Sequence, residues 1–185
     1  MNILWKLELH HGKRDDNDPR WNDIISCVPL PTAHFSGLFD ILVVNALARV
    51  QRFDDAHQMI AGIAEAAEAT PSFSRKQSLQ LIALPIAHAS VAFQRAEFSK
   101  AVELLSPIMH HHFGIKCDQA QGDDDEREAA DDFLLPPISC LGGSSEQREV
   151  LHEMFALSLL RLGRKEEAAA YNVMAGLPIP VTKSL

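Results

Sequence analysis

Three consecutive imidazoles, His110, His111 and His112, are the side chains of this sequence that most invite chemistry. Zinc accepts neutral imidazole readily, but its ligands must converge on one point. Neighbouring residues of an α-helix project about 100° apart, so three in a row cannot meet at one ion. They close an apolar-periodic segment, which suits a helix C-terminus, where imidazolium complements exposed carbonyls. His10-His11 has the same geometry, and Cys117 and Asp118 add no paired ligand spacing. No metal or other cofactor is expected.

Nucleophilic catalysis requires a Ser or Cys, a base and an orienting acid in one place. Ser144 and Ser145 precede His152 on the same expected helix, but seven residues correspond to roughly 10 Å along the axis, beyond a hydrogen bond. Ser144 with Gln147 reads instead as a capping box, which satisfies two orphan amides at a helix start. Gly142-Gly143-Ser144 could cradle a phosphate at that helix N-terminus. It lacks the lysine and the preceding strand of a P-loop. Asp123, Asp124 and Asp125 are oxygen-rich, but the alternating spacing and closing glutamate of a calcium loop are missing. The residues point away from an enzyme.

The net charge of −8 is local. Asp118, Asp123, Asp124, Asp125, Glu126, Glu128, Asp131 and Asp132 face only Arg127, so residues 118–132 carry −7 and the rest of the chain −1. No basic stripe marks a nucleic-acid footprint. Three cysteines, Cys27, Cys117 and Cys140, have no short pairing motif and read as reduced thiols of a cytoplasmic protein. A Cys117–Cys140 bridge across the acidic stretch is the alternative. No apolar run reaches the ~20 residues that span a bilayer, so no membrane is expected.

The elements that would position these residues are all helical. Apolar spacing predicts helices over 2–10, 20–27, 35–50 and 53–68, the last two joined by Gln51-Arg52. Pro71 ends that pair. A second capping box, Ser74 with Gln77, opens a helix to about 95, with a kink or a start displaced toward Leu84 because of Pro85. Helices over 97–111, 146–162 and 164–176 follow, with a mobile acidic insertion at about 115–141. Residues 1–185 then form a single helical-repeat domain, all-α.

The pairs look like copies of one unit. Phe53, Phe98 and Lys165 each stand three residues before Ala56, Ala101 and Ala168. A small side chain is what two closely crossing helices require at such a point. The aromatic-x-x-Ala signal resembles the tetratricopeptide helix pair. The alanines lie 45 and 67 residues apart, so the units are degenerate, with long connections.

Longer stretches carry a more particular likeness. Leu4-Trp5-Lys6-Leu7-Glu8-Leu9 with Pro19-Arg20-Trp21, then Leu84-Pro85-Ile86-Ala87-His88-Ala89 through Phe98-Ser99-Lys100-Ala101, and above all Gly142-Gly143-Ser144 with Gln147-Arg148, resemble the C-terminal portion of the tetratricopeptide repeat protein 38 family. Two features depart from it. Asp40-Ile41-Leu42 stands where the family tends to have Asp-x-His, and the acidic segment interrupts a link that is usually short. Family members are longer, which implies a natural short form or a truncated gene model.

The resemblance implies an α-α superhelix of degenerate tetratricopeptide-like pairs, with the first helix of each pair lining a concave groove. Asn45, Arg49, Ser90, Gln94, Glu153 and Arg161 would face that groove and meet a protein or peptide partner. The function implied is a non-catalytic interaction module or scaffold. A structural subunit is the alternative, self-associating through an exposed apolar edge of Ile3, Trp5 and Leu7 as a homo-oligomer. A third class, an enzyme or small-ligand protein, would need a closed apolar cavity near His88 and His152.

Overall fold

Apolar periodicity is realised as helix throughout the computed structural model, which describes residues 1–12, 18–30, 32–112 and 135–177. No strand occurs among the described residues. The helices are α1 (Asn2–His11), α2 (Pro19–Ser26), α3 (Gly37–Arg49), α4 (Phe53–Ala69), α5 (Phe73–Gln77), α6 (Leu84–Gln94), α7 (Phe98–His112), α8 (Ser145–Arg161) and α9 (Lys165–Ala175). Most of the acidic insertion, and Cys117 with its postulated bridge, lie outside the described residues. The insertion ends earlier than the sequence suggests. Ile138–Leu141 form a 3-10 turn with Ile138 and Leu141 buried, and the turn is tied down by Ser36 Oγ donating to Leu141 O at 3.2 Å and Ser78 Oγ to Cys140 O at 3.3 Å.

Local chemistry sets the helix starts. Asp18 caps α2 with Pro19 at its first position, and Ser36 caps α3. Ser144 and Gln147 close the expected capping box at α8. The other expected box is not formed. Ser72, extended after Pro71, accepts from the Arg75 amide and begins α5, so Ser74 is already inside the helix. Around Pro85 the α-helix α6 begins at Leu84, the displaced start that the proline suggests, with Pro85 in its first turn. Residues Ser78–Ala83 wind as a π-helix that joins α5 to α6, and this wider register relieves the clash that a proline ring makes with the carbonyl four residues earlier.

Three pairs follow one plan. Between α3 and α4 the turn residue Gln51 is left-handed at φ 62°, between α6 and α7 Ala96 is at 60°, and between α8 and α9 Gly163 is at 78°. Each turn is closed by the same bonds: Arg52 N to Leu47 O, Glu97 N to Ala92 O and Arg164 N to Leu159 O. Five residues after each left-handed position comes an alanine, Ala56, Ala101 or Ala168, with no exposed surface. The bare methyl at that point is what lets the paired helices approach closely.

The pairs then pack in chain order. α3 lies on α6, α4 on the π-turn and α6, and α7 on α8. Arg95 stacks over the Phe53 ring at 4.5 Å and bridges the first two pairs. Gly37–Arg49 is buried on nearly all sides, because α2, α4 and α6 all pack against it. α1 closes the arrangement by lying along α8.

Candidate functional site

The first helices of the three pairs, α3, α6 and α8, place most of the sequence-derived candidates along one seam. Asn45 and Arg49 are four apart on α3, and Ser90 and Gln94 four apart on α6, so each pair shares a helix face. Gln94 Nε2 donates to Asn45 Oδ1 at 2.9 Å. Ser90 Oγ donates to Ile86 O at 2.9 Å and touches Met154 Sδ at 4.0 Å. Glu153 is the neighbour of Met154 on α8. Arg161 stands apart, exposed in the last turn of α8.

The expectation that these residues line an open groove is corrected by their burial. Asn45 and Ser90 are 0% exposed, Arg49 is 2% and Glu153 is 8%. For Arg49 and Glu153 the cause is α1. Arg49 donates from Nε to Glu8 Oε2 at 2.8 Å and from Nη2 to Glu8 Oε1 at 2.9 Å, a bidentate pair. Trp21 Nε1 of α2 donates to the same Glu8 Oε1 at 3.0 Å. At the α8 side Lys6 pairs with Glu149 and lies 3.6 Å from Glu153, while His10 Nε2 is 3.1 Å from Glu153 Oε1. Asn2 Nδ2 donates to Gln147 O at 2.5 Å. Trp5, 1% exposed, is part of the hydrophobic core.

The seat is imperfect. Among the described residues, Trp5 Nε1, Asn45 Nδ2, Gln94 Oε1 and Glu153 Oε2 are buried without a hydrogen-bond partner. Burial raises the Glu153 carboxyl above its ordinary range, against the pull of His10 and Lys6 and with the help of Glu149. The bond to Glu149 raises the Lys6 ammonium.

Reading the sequence missed Lys6, Glu8, His10, Glu149 and Trp21 as members of this site. One signal was available: Glu8 is a lone acid between Leu7 and Leu9 on an apolar helix. A carboxylate in that setting needs a cation. The expected N-terminal edge is half correct. Ile3 and Leu7 are exposed, at 78% and 46%, but Trp5 points inward. With Met1, Leu4 and Ile24, flanked by Arg20 and Asp23, they line a shallow, open, apolar depression of about 440 Å³.

Two further polar clusters sit elsewhere. Thr32 Oγ1 donates to Asp40 Oδ1 at 2.6 Å, with His34 Nδ1 3.3 Å from the same oxygen. Burial lifts the Asp40 carboxyl, and Thr32 and His34 partly offset this. His34 Nε2 is pressed against α4, 2.7 Å from where a Cβ on Gly62 would stand, so it faces no open space. On the other side of the molecule His152 Nδ1 and Tyr171 Oη are 2.6 Å apart and their rings stack. Phe155 meets Tyr171 edge-on, and burial pushes the Tyr171 phenol far up. Burial also lowers the His88 imidazole.

His110, the first of the histidine run, pairs with Ser106 Oγ one turn earlier at 2.9 Å. No three His, Cys, Asp or Glu side chains among the described residues are grouped as a metal would need. No helix among the described residues is long and apolar enough to cross a membrane. Ser144 is engaged in its cap, and His152 in its tyrosine. No family model, curated protein or solved structure matches the chain.

Proposed function

We propose that this chain is a non-catalytic, tetratricopeptide-like α-α superhelix of the kind its sequence resembles, working in the cytoplasm as an interaction module. It receives a protein or peptide segment along the inner faces of α3, α6 and α8. The observation that carries the reading is the threefold recurrence of one turn. A left-handed residue, a shared closing bond and a buried alanine five positions on mark each pair, and stacked repeats of one supersecondary unit are the architecture that offers an extended binding face. The seating of α1 along α8, with Glu8 reaching Arg49 of α3, adds support, since a helix already lies against two of these three helices.

Photo-crosslinking tests it. Benzoylphenylalanine at Arg161, exposed on the inner helix α8, should capture a protein from native extract. The same group at Glu65, exposed on α4, should not. Equal labelling from both positions would refute an inner-face partner.

A second reading is favoured by the apolar depression around Ile3 and Leu7. There the chain is a structural subunit that self-associates through the outer side of α1. Ile3→Glu with Leu7→Glu should then convert an oligomer to monomer in size exclusion. An unchanged elution volume would dispose of it.

A further inference from the structure

We infer that α1 occupies the partner site of its own chain and must leave before a partner enters, and that the partner is itself an amphipathic helix of α1's chemistry. This rests on the proposed inner-face reading. Two of the residues assigned to partner recognition, Arg49 and Glu153, are the ones α1 holds. The contact is built as a ligand contact is built. One carboxylate, Glu8, answers one buried guanidinium bidentately, one ammonium, Lys6, answers a pair of acids, and an apolar pair, Leu4 and Trp5, is buried in the core.

The same contact is held in a way that permits release. Besides the Asn2–Gln147 hydrogen bond, its α8 half holds ion pairs whose cations are half-open, the Lys6 side chain 32% and His10 44% exposed, and pairs open to water contribute little. α1 has no side-chain N-cap. Its docking leaves the Trp5 indole N–H and Glu153 Oε2 without partners. Release returns the Trp5 indole N–H to water, and a competing helix with a donor opposite Glu153 Oε2 would satisfy that oxygen. The expected partner therefore presents a glutamate for Arg49, an apolar or aromatic pair about one turn before it, and a lysine or arginine for Glu149 and Glu153.

The test uses the full chain and, as probe, a fluorescein-labelled peptide of residues 1–12. Lys6→Glu in the chain sets a third acid against Glu149 and Glu153 and leaves the Glu8–Arg49 pair intact. Emission of Trp5 and Trp21 should move to the red while far-UV circular dichroism stays helical. The peptide should bind this variant at least tenfold more tightly than the wild-type chain, and a Glu8→Ala peptide should lose at least tenfold of that affinity. A Glu8→Ala chain is the second lever, releasing α1 from the α3 side.

Red-shifted emission with equal peptide affinity for variant and wild type overturns the inference, as does unmoved emission in both variants. Either result is separable from failure of the inner-face reading. Cross-links from Arg161 that persist unchanged in the Lys6→Glu chain keep the partner and remove the competition.

Discussion

Glu8→Ala is the most exacting perturbation of the α1 seat. It removes a carboxylate that accepts three hydrogen bonds, two from Arg49 and one from Trp21. The Arg49 side chain has no exposed surface, so its charge cannot turn to water. Breaking a buried pair by deleting one partner costs about 3–5 kcal/mol where the remaining charge is left alone; the Asp18 carboxylate, which also interacts electrostatically with Arg49, offsets part of that cost. An orphaned indole N–H costs about 1–3 kcal/mol, overlapping with the first term because the acceptor is shared. The expected loss is about 2–4 kcal/mol, a large part of the ~5–15 kcal/mol that holds a domain.

Urea unfolding read by tryptophan emission reports the loss directly, since Trp5 and Trp21 are the chain's two tryptophans and both are buried at this site. Glu8→Leu combined with Arg49→Met should recover part of it, as apolar replacement of a buried pair is often neutral, while the Trp21 indole N–H stays without its acceptor. A loss below about 1 kcal/mol for Glu8→Ala would refute the reasoning. So would a double variant as unstable as the two singles summed.

The left-handed turns give opposite signs at equivalent positions. Gln51→Gly and Ala96→Gly should each stabilise by about 0.5–1 kcal/mol, and Gly163→Ala should destabilise by about 1 kcal/mol, measured by thermal unfolding. No atom lies within 4 Å of a Cβ built on Gly163, so its effect is one of backbone alone. Ser144→Ala should cost about 1 kcal/mol in the same assay through loss of the α8 capping box. Asp40 supplies a pH dependence. Burial raises its folded pKa above 3.8, so the folded chain binds the extra proton and this group's contribution to stability is lost as pH rises through the window above 3.8. Asp40→Asn should flatten that descent relative to wild type; an identical pH profile for the two proteins would show that Asp40 titrates as it does in the unfolded chain.

What could be read from the sequence was what is local. Periodic leucines and isoleucines predict helices whose ends agree within a few residues, and Phe53-x-x-Ala56 and Phe98-x-x-Ala101 point to the crossings. Gly163 announces its left-handed turn, but Gln51 and Ala96 do the same work with no glycine to signal it. The π-turn was hidden because Pro85 can be accommodated in several ways, and the packing around Ser78–Ala83 selects one. Ser72 rather than Ser74 caps α5 because the extended backbone after Pro71 places it first.

The site was legible only as a direction on each helix. Arg49 was assigned to a groove because of its place on α3, and it does face α1. Its partner Glu8 is 41 residues away, and Lys6 meets Glu149 across 143. Pairings of that separation leave no periodicity. Only the unusual position of an acid in Leu7-Glu8-Leu9 asks for one.

Carbodiimide coupling of the unmodified chain measures the seat of α1 most directly, because it joins only a lysine and a carboxylate already in contact. Lys6 and Glu149 are such a pair. The monomer fraction should yield a Lys6–Glu149 isopeptide by mass spectrometry, and the linked chain should no longer take up the peptide of residues 1–12. A monomer with no link from Lys6 to α8, or a linked chain that binds the peptide as well as the unlinked one, would contradict the account.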